Sequence, residues 1–205
     1  MAVISISRQV GSGGHEIALA LSQKLGYRFF DRALMQKIGL EAGITKGEVV
    51  DLTAERHHTQ IGEVNAMLFN AASPIALGSY EASGMGAEAR AAEAVSKIMR
   101  RAFEQGDVVI EGRGSQGVLQ DDPGVLHVRF VAPNEQRIEY LMKRDNITRD
   151  AARKMVKEAD NAQADYIRRY FGADITDPTL YHLIINTAKV SQEKALELIL
   201  KALEK

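Results

Sequence analysis

The chain has 205 residues, 26 Lys and Arg against 27 Asp and Glu, and 45% hydrophobic residues. That length and apolar content suit one domain with a substantial core, and a net charge of −1 gives no electrostatic basis for binding nucleic acid or a membrane. The absence of cysteine excludes disulfides, thiolate zinc sites and cysteine nucleophiles, and fits a reducing, cytoplasmic setting.

Val3-Ile4-Ser5-Ile6-Ser7 reads as the first strand, Arg8 to Gly14 as a glycine turn, and His15 to Leu25 as a helix. The N-terminus runs directly into this strand, so no secretory leader is expected; no apolar run approaches the ~18–20 residues of a membrane span. A strand entering a helix through a glycine turn can hold phosphate. Backbone N–H groups converge there, and the helix N-terminus adds partial positive charge. The standard phosphate loop is G-x-x-x-x-G-K-[ST]. Laid on this chain it puts Arg8 at the first glycine, Gly13 at the second, Gly14 at the lysine and His15 at the hydroxyl position. Three of the four defining positions differ, so on spacing alone a glycine corner that binds nothing is an equal alternative.

The first helix carries Ile17, Leu21 and Leu25 on one face, with Ala18 beside them, and Gly26 as its C-cap. Tyr27 to Phe30 is a short second strand ending at Asp31, either a ligand contact or the N-cap of the next helix. Residues 32–105 look mainly helical: one helix from Arg32 to Ala42, another from Thr45 towards His57, and a last one from Ala87 to Phe103, stopped by Gly106. The adjacent His57 and His58 point in different directions on a helix, and no metal site is expected there. The Ala- and Met-rich stretch 61–94 is either a packed helical subdomain or a contact surface, for instance of a homodimer.

Asp107 to Glu111 is a strand of the kind buried on both faces of a parallel sheet, and it runs into Gly112-Arg113-Gly114. Ligands bind at the carboxyl ends of such strands. Arg113 therefore either presents its guanidinium to a phosphate or pairs with Glu111. Val125 to Val131 is the fourth strand. Pro133-Asn134 opens a helix through Ile138, Leu141 and Met142, and residues 143–169 are densely charged. Tyr181 to Asn186 is the fifth strand. Ser191 caps a final helix carrying Ala195, Leu198, Ile199 and Leu203. Five short apolar strands alternating with helices mean an α/β fold: a five-stranded, mostly parallel sheet with helices on both faces.

Over nearly its whole length the chain resembles the cytidylate-kinase-like family, a branch of the P-loop nucleoside monophosphate kinases. The resemblance rests on Ile6-Ser7-Arg8 with Gly11-Ser12-Gly13-Gly14, Leu25-Gly26-Tyr27 with Asp31, Val109 to Arg113, Asp160 to Arg169, and Asp177, Tyr181 and Ile184 to Thr187. It implies a single P-loop kinase domain with a helical acceptor-binding insert over about 32–105 and a lid over about 145–172. It implies transfer of the ATP γ-phosphoryl group to a nucleoside monophosphate, CMP or dCMP, with Mg²⁺; the partners are small nucleotides. By position, Gly11, Ser12, Gly13, Gly14 and His15 would hold the ATP phosphates. Arg113 would hold the acceptor, Arg168 and Arg169 would close on the transferring phosphate, and Asp160 would be a lid or acceptor-side partner. Lys37 would face the acceptor, and Asp31 would sit between the two sites, close to Mg²⁺ or to the acceptor. Three departures stand out. The lysine is Gly14, the magnesium-binding hydroxyl is His15, and Gly114 stands where the standard cytidylate kinases have an aspartate. Arg8 is a candidate for the missing cation, with Ser7 or Ser12 offering a hydroxyl to the metal. The competing reading is a nucleotide-binding or regulatory protein on the same fold, without transfer chemistry.

Overall fold

The computed structural model describes residues 2–31 and 87–204. Lys37, the His57-His58 pair and stretch 32–86 lie outside the described residues. Strands β1 (Val3–Arg8), β2 (Arg28–Phe30), β3 (Val108–Glu111), β4 (Val125–Val131) and β5 (Leu183–Asn186) form one sheet in the order β2-β3-β1-β4-β5. Every neighbouring pair is parallel, Ile4 standing between Val109 and Leu126. All strands therefore end on one edge, and their carboxyl ends converge beside the glycine turn.

Alternation along β1 and β4 builds two cores, one on each face. Ile4, Ile6, Val109, Val128 and Phe130 pack against α1 (Gly14–Leu25) and α6 (Gln192–Leu203) through Ile17, Ala18, Leu21, Ala195 and Ile199. Val3, Val108, Ile110 and Val125 face α2 (Ala87–Gln105), through Val95, Met99 and Ala102, and the single-turn α3 (Ser115–Val118). The last helix of the expected insert is thus part of the core. A third cluster joins Val10 of the glycine turn to α4 (Asn134–Asp145) and α5 (Arg149–Phe171), through Ile138, Leu141, Ala152, Val156 and Ala159.

The charged stretch 143–169 is divided between two helices. Asn146, at φ 52°, ends α4, and the Thr148 hydroxyl caps α5 by accepting from the Ala151 N–H at 3.3 Å. Two sequence expectations are corrected. Leu198, expected on the core face of the last helix, is 39% exposed, because Ala195 and Ile199 supply that face. The fifth strand starts at Leu183, not Tyr181: residues 178–180 form a 3₁₀ turn, and the Tyr181 hydroxyl donates to Ile175 O at 2.9 Å. No described helix is long and apolar enough to cross a membrane.

Candidate active site

Gly11 and Gly13 in the turn after β1 have φ of 76° and 72°, conformations that strain any side chain. Gly11 also has no room for one, since a Cβ would stand 2.7 Å from Arg137 O. The turn is held from three sides. Gln9 N–H donates to Phe130 O, the Thr187 hydroxyl donates to Ser12 O at 2.7 Å, and Arg137 Nε donates to Val10 O at 2.7 Å. Arg137 has no exposed surface, and its guanidinium forms two hydrogen bonds to the Asp160 carboxylate, at 2.8 and 2.6 Å. The expected acceptor-side carboxylate of Asp160 therefore lies against α4, tying α5 to the glycine turn.

Inside the turn the Ser12 hydroxyl is buried, 5% exposed for the residue, and has no hydrogen-bond partner. Buried hydroxyls are nearly always bonded, so this one marks a place for an acceptor supplied from outside. Next to it opens a cavity of about 390 Å³, lined by Gly11, Ser12 and Gly13, by Tyr140 and Lys143 of α4, and by Thr187 and Val190 after β5. Burial and a hydrogen bond to Glu16 push the Tyr140 phenol up to about 12, so it stays protonated. A loop of backbone N–H groups at the start of α1, with an orphan hydroxyl and an adjoining cleft, fits a nucleoside triphosphate.

At position 14 the loop has no space for lysine. A Cβ there would stand 2.9 Å from Phe130 Cβ and 3.0 Å from Arg8 Cβ. Arg8 leaves the end of β1 and pairs through Nε with Glu111 Oε1, at the end of β3. The other carboxylate oxygen, Oε2, is 2.7 Å from His15 Nδ1, in the first turn of α1. Glu111 is thus shared by two of the three residues that replace standard loop positions. Burial opposes its ionisation, but the hydrogen bond from His15 and the Arg8 charge outweigh it and hold the carboxyl below its ordinary range. The same hydrogen bond holds the His15 imidazole above its ordinary value, against partial burial.

Arg113, the second candidate cation, sits in a turn of three consecutive left-handed residues: Gly112, Arg113 and Gly114 have φ of 76°, 58° and 73°. Only the flanking glycines adopt this freely, so Arg113 is held in a strained conformation. The Phe171 ring fills the space above: a Cβ on Gly114 would stand 2.3 Å from it, and one on Gly117 2.6 Å. Phe171 ends α5, so the helix carrying Arg168 and Arg169 is seated on the Arg113 turn. Arg168 is 3.6 Å from Asp165, and Arg169 lies over the Tyr170 ring. Asp31 follows β2 on the same sheet edge. Among the described residues no group of three His, Asp or Glu side chains could hold a metal, and His15 is committed to Glu111.

Four features of the site do not follow from the sequence pattern. Glu111 reads there only as a partner for Arg113; a carboxylate ending a buried strand beside the glycine turn is the signal for its role. Arg137 carried none, since its partner Asp160 lies 23 residues on. The cavity draws on segments far apart in the chain. Arg129, 6% exposed and donating to the Ser7 hydroxyl at 2.8 Å, is hidden inside an apolar strand.

The sheet order, the glycine loop after β1 and the flanking arginines define a protein of the P-loop kinase fold. The chain belongs to the cytidylate kinase-like family, whose profile matches residues 3–189. It is 28% identical over 118 residues to the cytidylate kinase of Methanopyrus kandleri, and 32% over 114 residues to that of Methanocaldococcus jannaschii. These matches cover 54% and 53% of this chain, and span 61% and 64% of those proteins' own length. With the cytidylate kinase of Ignicoccus hospitalis it is 27% identical, over 99% of both chains. The fold is also that of an uncharacterised protein from Eubacterium ventriosum (TM-score 0.71, 18% identity, covering 100% of this chain and 99% of that one). It is shared with shikimate kinase from Bacteroides thetaiotaomicron (TM-score 0.57, 14% identity, 100% and 99%).

Proposed function

We propose that this chain transfers the γ-phosphoryl group of Mg·ATP to a nucleoside monophosphate, with CMP or dCMP as acceptor. The observation that carries the reading is the unpartnered Ser12 hydroxyl inside a glycine loop, beside a cleft of about 390 Å³. The family membership supports it, and relatives of this family are named cytidylate kinases. In this reading the N–H groups of Gly11, Gly13 and Gly14 and the Ser12 hydroxyl bind the ATP phosphates, with the nucleoside towards Tyr140 and Val190. Arg113 takes the acceptor phosphate, helped by Asp31 and Lys37. Arg168 and Arg169 close with α5. Phosphoryl transfer of this kind is positioning and charge neutralisation in a water-poor site, a task suited to a strained, preset arginine.

One observation favours binding without transfer: the lysine position is filled by Phe130 and Arg8. An ADP-release assay with Mg·ATP decides between the two, run against CMP, dCMP, UMP, AMP, GMP and shikimate. Acceptor-dependent turnover is expected with CMP or dCMP, falling by 100-fold or more in Arg113→Ala, as for loss of a charge-stabilising contact. ATP binding by calorimetry with no turnover on any acceptor would leave the regulatory reading.

A further inference from the structure

We propose that His15 is itself a phosphate-contacting residue, and that its imidazolium, clamped by Glu111, brings to the nucleotide phosphates the positive charge that lysine brings in a standard phosphate loop. The inference rests on the reading of this loop as a triphosphate site.

The lysine position is closed by packing, because Phe130 and the Arg8 stem occupy the space a side chain on Gly14 would need. The charge must then reach the site from another position. His15 is the second residue of α1, in the first turn after the left-handed Gly13 cap, where an anion bound by the loop would sit. The loop's unpartnered Ser12 hydroxyl independently points to such an anion. The His15 side chain is 44% exposed, while Glu111 is 4% exposed. Nδ1 is fixed on Glu111 at 2.7 Å and the Phe29 ring stands 5.8 Å away, so the ring has one orientation. Among the described residues Nε2 has no partner.

Protonation decides what Nε2 offers. With Nδ1–H donated to Glu111, a neutral imidazole presents a lone pair at Nε2, which repels a phosphate oxygen. The imidazolium presents N–H and a charge. Among the described residues the charged groups facing His15 are Glu111 from β3, Arg8 from β1 and Glu16 from its own helix. Protonating His15 adds one positive charge to this cluster at the mouth of the loop; a neutral His15 adds none. The Glu111 hydrogen bond favours the charged form. His15 is thus the contacting group and Glu111 its positioning residue.

The test is the His15 titration followed by NMR of the imidazole resonances, assigned by their loss in His15→Asn. It is run with and without saturating inorganic tripolyphosphate, in the absence of metal. Binding of a polyanion at Nε2 should raise the His15 pKa by about one unit. By linkage, tripolyphosphate affinity, measured by calorimetry, should then fall about tenfold from below to above that titration. His15→Lys should keep the affinity at alkaline pH, where the wild type loses it. Tripolyphosphate that binds while the His15 titration stays unmoved overturns the proposal, whatever the kinase assay gives. A raised pKa without acceptor turnover sustains it and removes the kinase reading alone. No tripolyphosphate binding at all overturns both.

Discussion

Gly14 shows how one residue can be absent for a packing reason. Its virtual Cβ meets the Phe130 ring and the Arg8 stem at 2.9–3.0 Å, so this loop has been closed around a glycine. Restoring the standard lysine should therefore harm the protein. Gly14→Lys is expected to cost about 1–3 kcal/mol, as for overpacking of a filled site. For a chain of this length each kcal/mol corresponds to roughly 2–4 °C of Tm. ATP affinity should not rise, because Phe130 and Arg8 must move before the ammonium can reach the loop. Thermal unfolding and calorimetry on one preparation check this. An unchanged Tm with tighter ATP binding would mean that the position has room. The sequence made the loss of lysine legible, but not its cause: Phe130 lies 116 residues away, and only the parallel register of β1 with β4 sets its ring over the loop.

Among the elements, α4 links the phosphate loop to the arginine-bearing helix. Arg137 holds Val10 O of the loop on one side and Asp160 of α5 on the other, so α5 shifts against α4 only if this ion pair breaks. Asp160→Ala leaves a fully buried guanidinium without its counter-charge. Breaking a buried pair from one side costs roughly 3–5 kcal/mol. Asp160 is 35% exposed, so water compensates part of this, and about 2 kcal/mol, or a Tm lower by roughly 4–8 °C, is expected. ATP affinity should fall as well, because Val10 loses a fixed donor; a Tm loss with unchanged affinity would confine the pair to helix packing. The strands and flanking helices were readable from apolar runs and glycine stops: Val108–Glu111 and Val125–Val131 stand where their composition puts them. The short α3, the Tyr181 turn and the Arg137–Asp160 bridge were not readable. Each depends on a contact between distant segments rather than on local pattern.

At the scale of the whole molecule, the Arg8–Glu111–His15 cluster joins β1, β3 and α1 at the carboxyl edge of the sheet, so the titration of this cluster is also a stability property. His15 has a raised pKa in the folded chain, through its hydrogen bond to Glu111. Its contribution is complete below the unfolded value of 6.5 and is lost as pH rises through the higher folded value. Glu111 has a lowered pKa, its hydrogen bond from His15 and the Arg8 charge overcoming burial. Its contribution is complete above the unfolded value of 4.5 and is lost as pH falls through the lower folded value. Both are complete only between about pH 4.5 and 6.5; above that interval the Arg8–Glu111 pair persists alone. The expected observation is a Tm difference between wild type and Glu111→Gln that is greatest in this interval. It should shrink on the alkaline side as His15 discharges, and shrink further in acid as Glu111 protonates. Exposed carboxylates with lowered pKa, such as Asp174 and Asp177, and the buried His127 titrate alike in both proteins and cancel from the difference. Scanning calorimetry from pH 4 to 9 on the pair of proteins measures it. A difference that is flat across the range would mean that His15 and Glu111 do not share a proton-linked contact, and that the charge at the phosphate loop does not depend on pH through this pair.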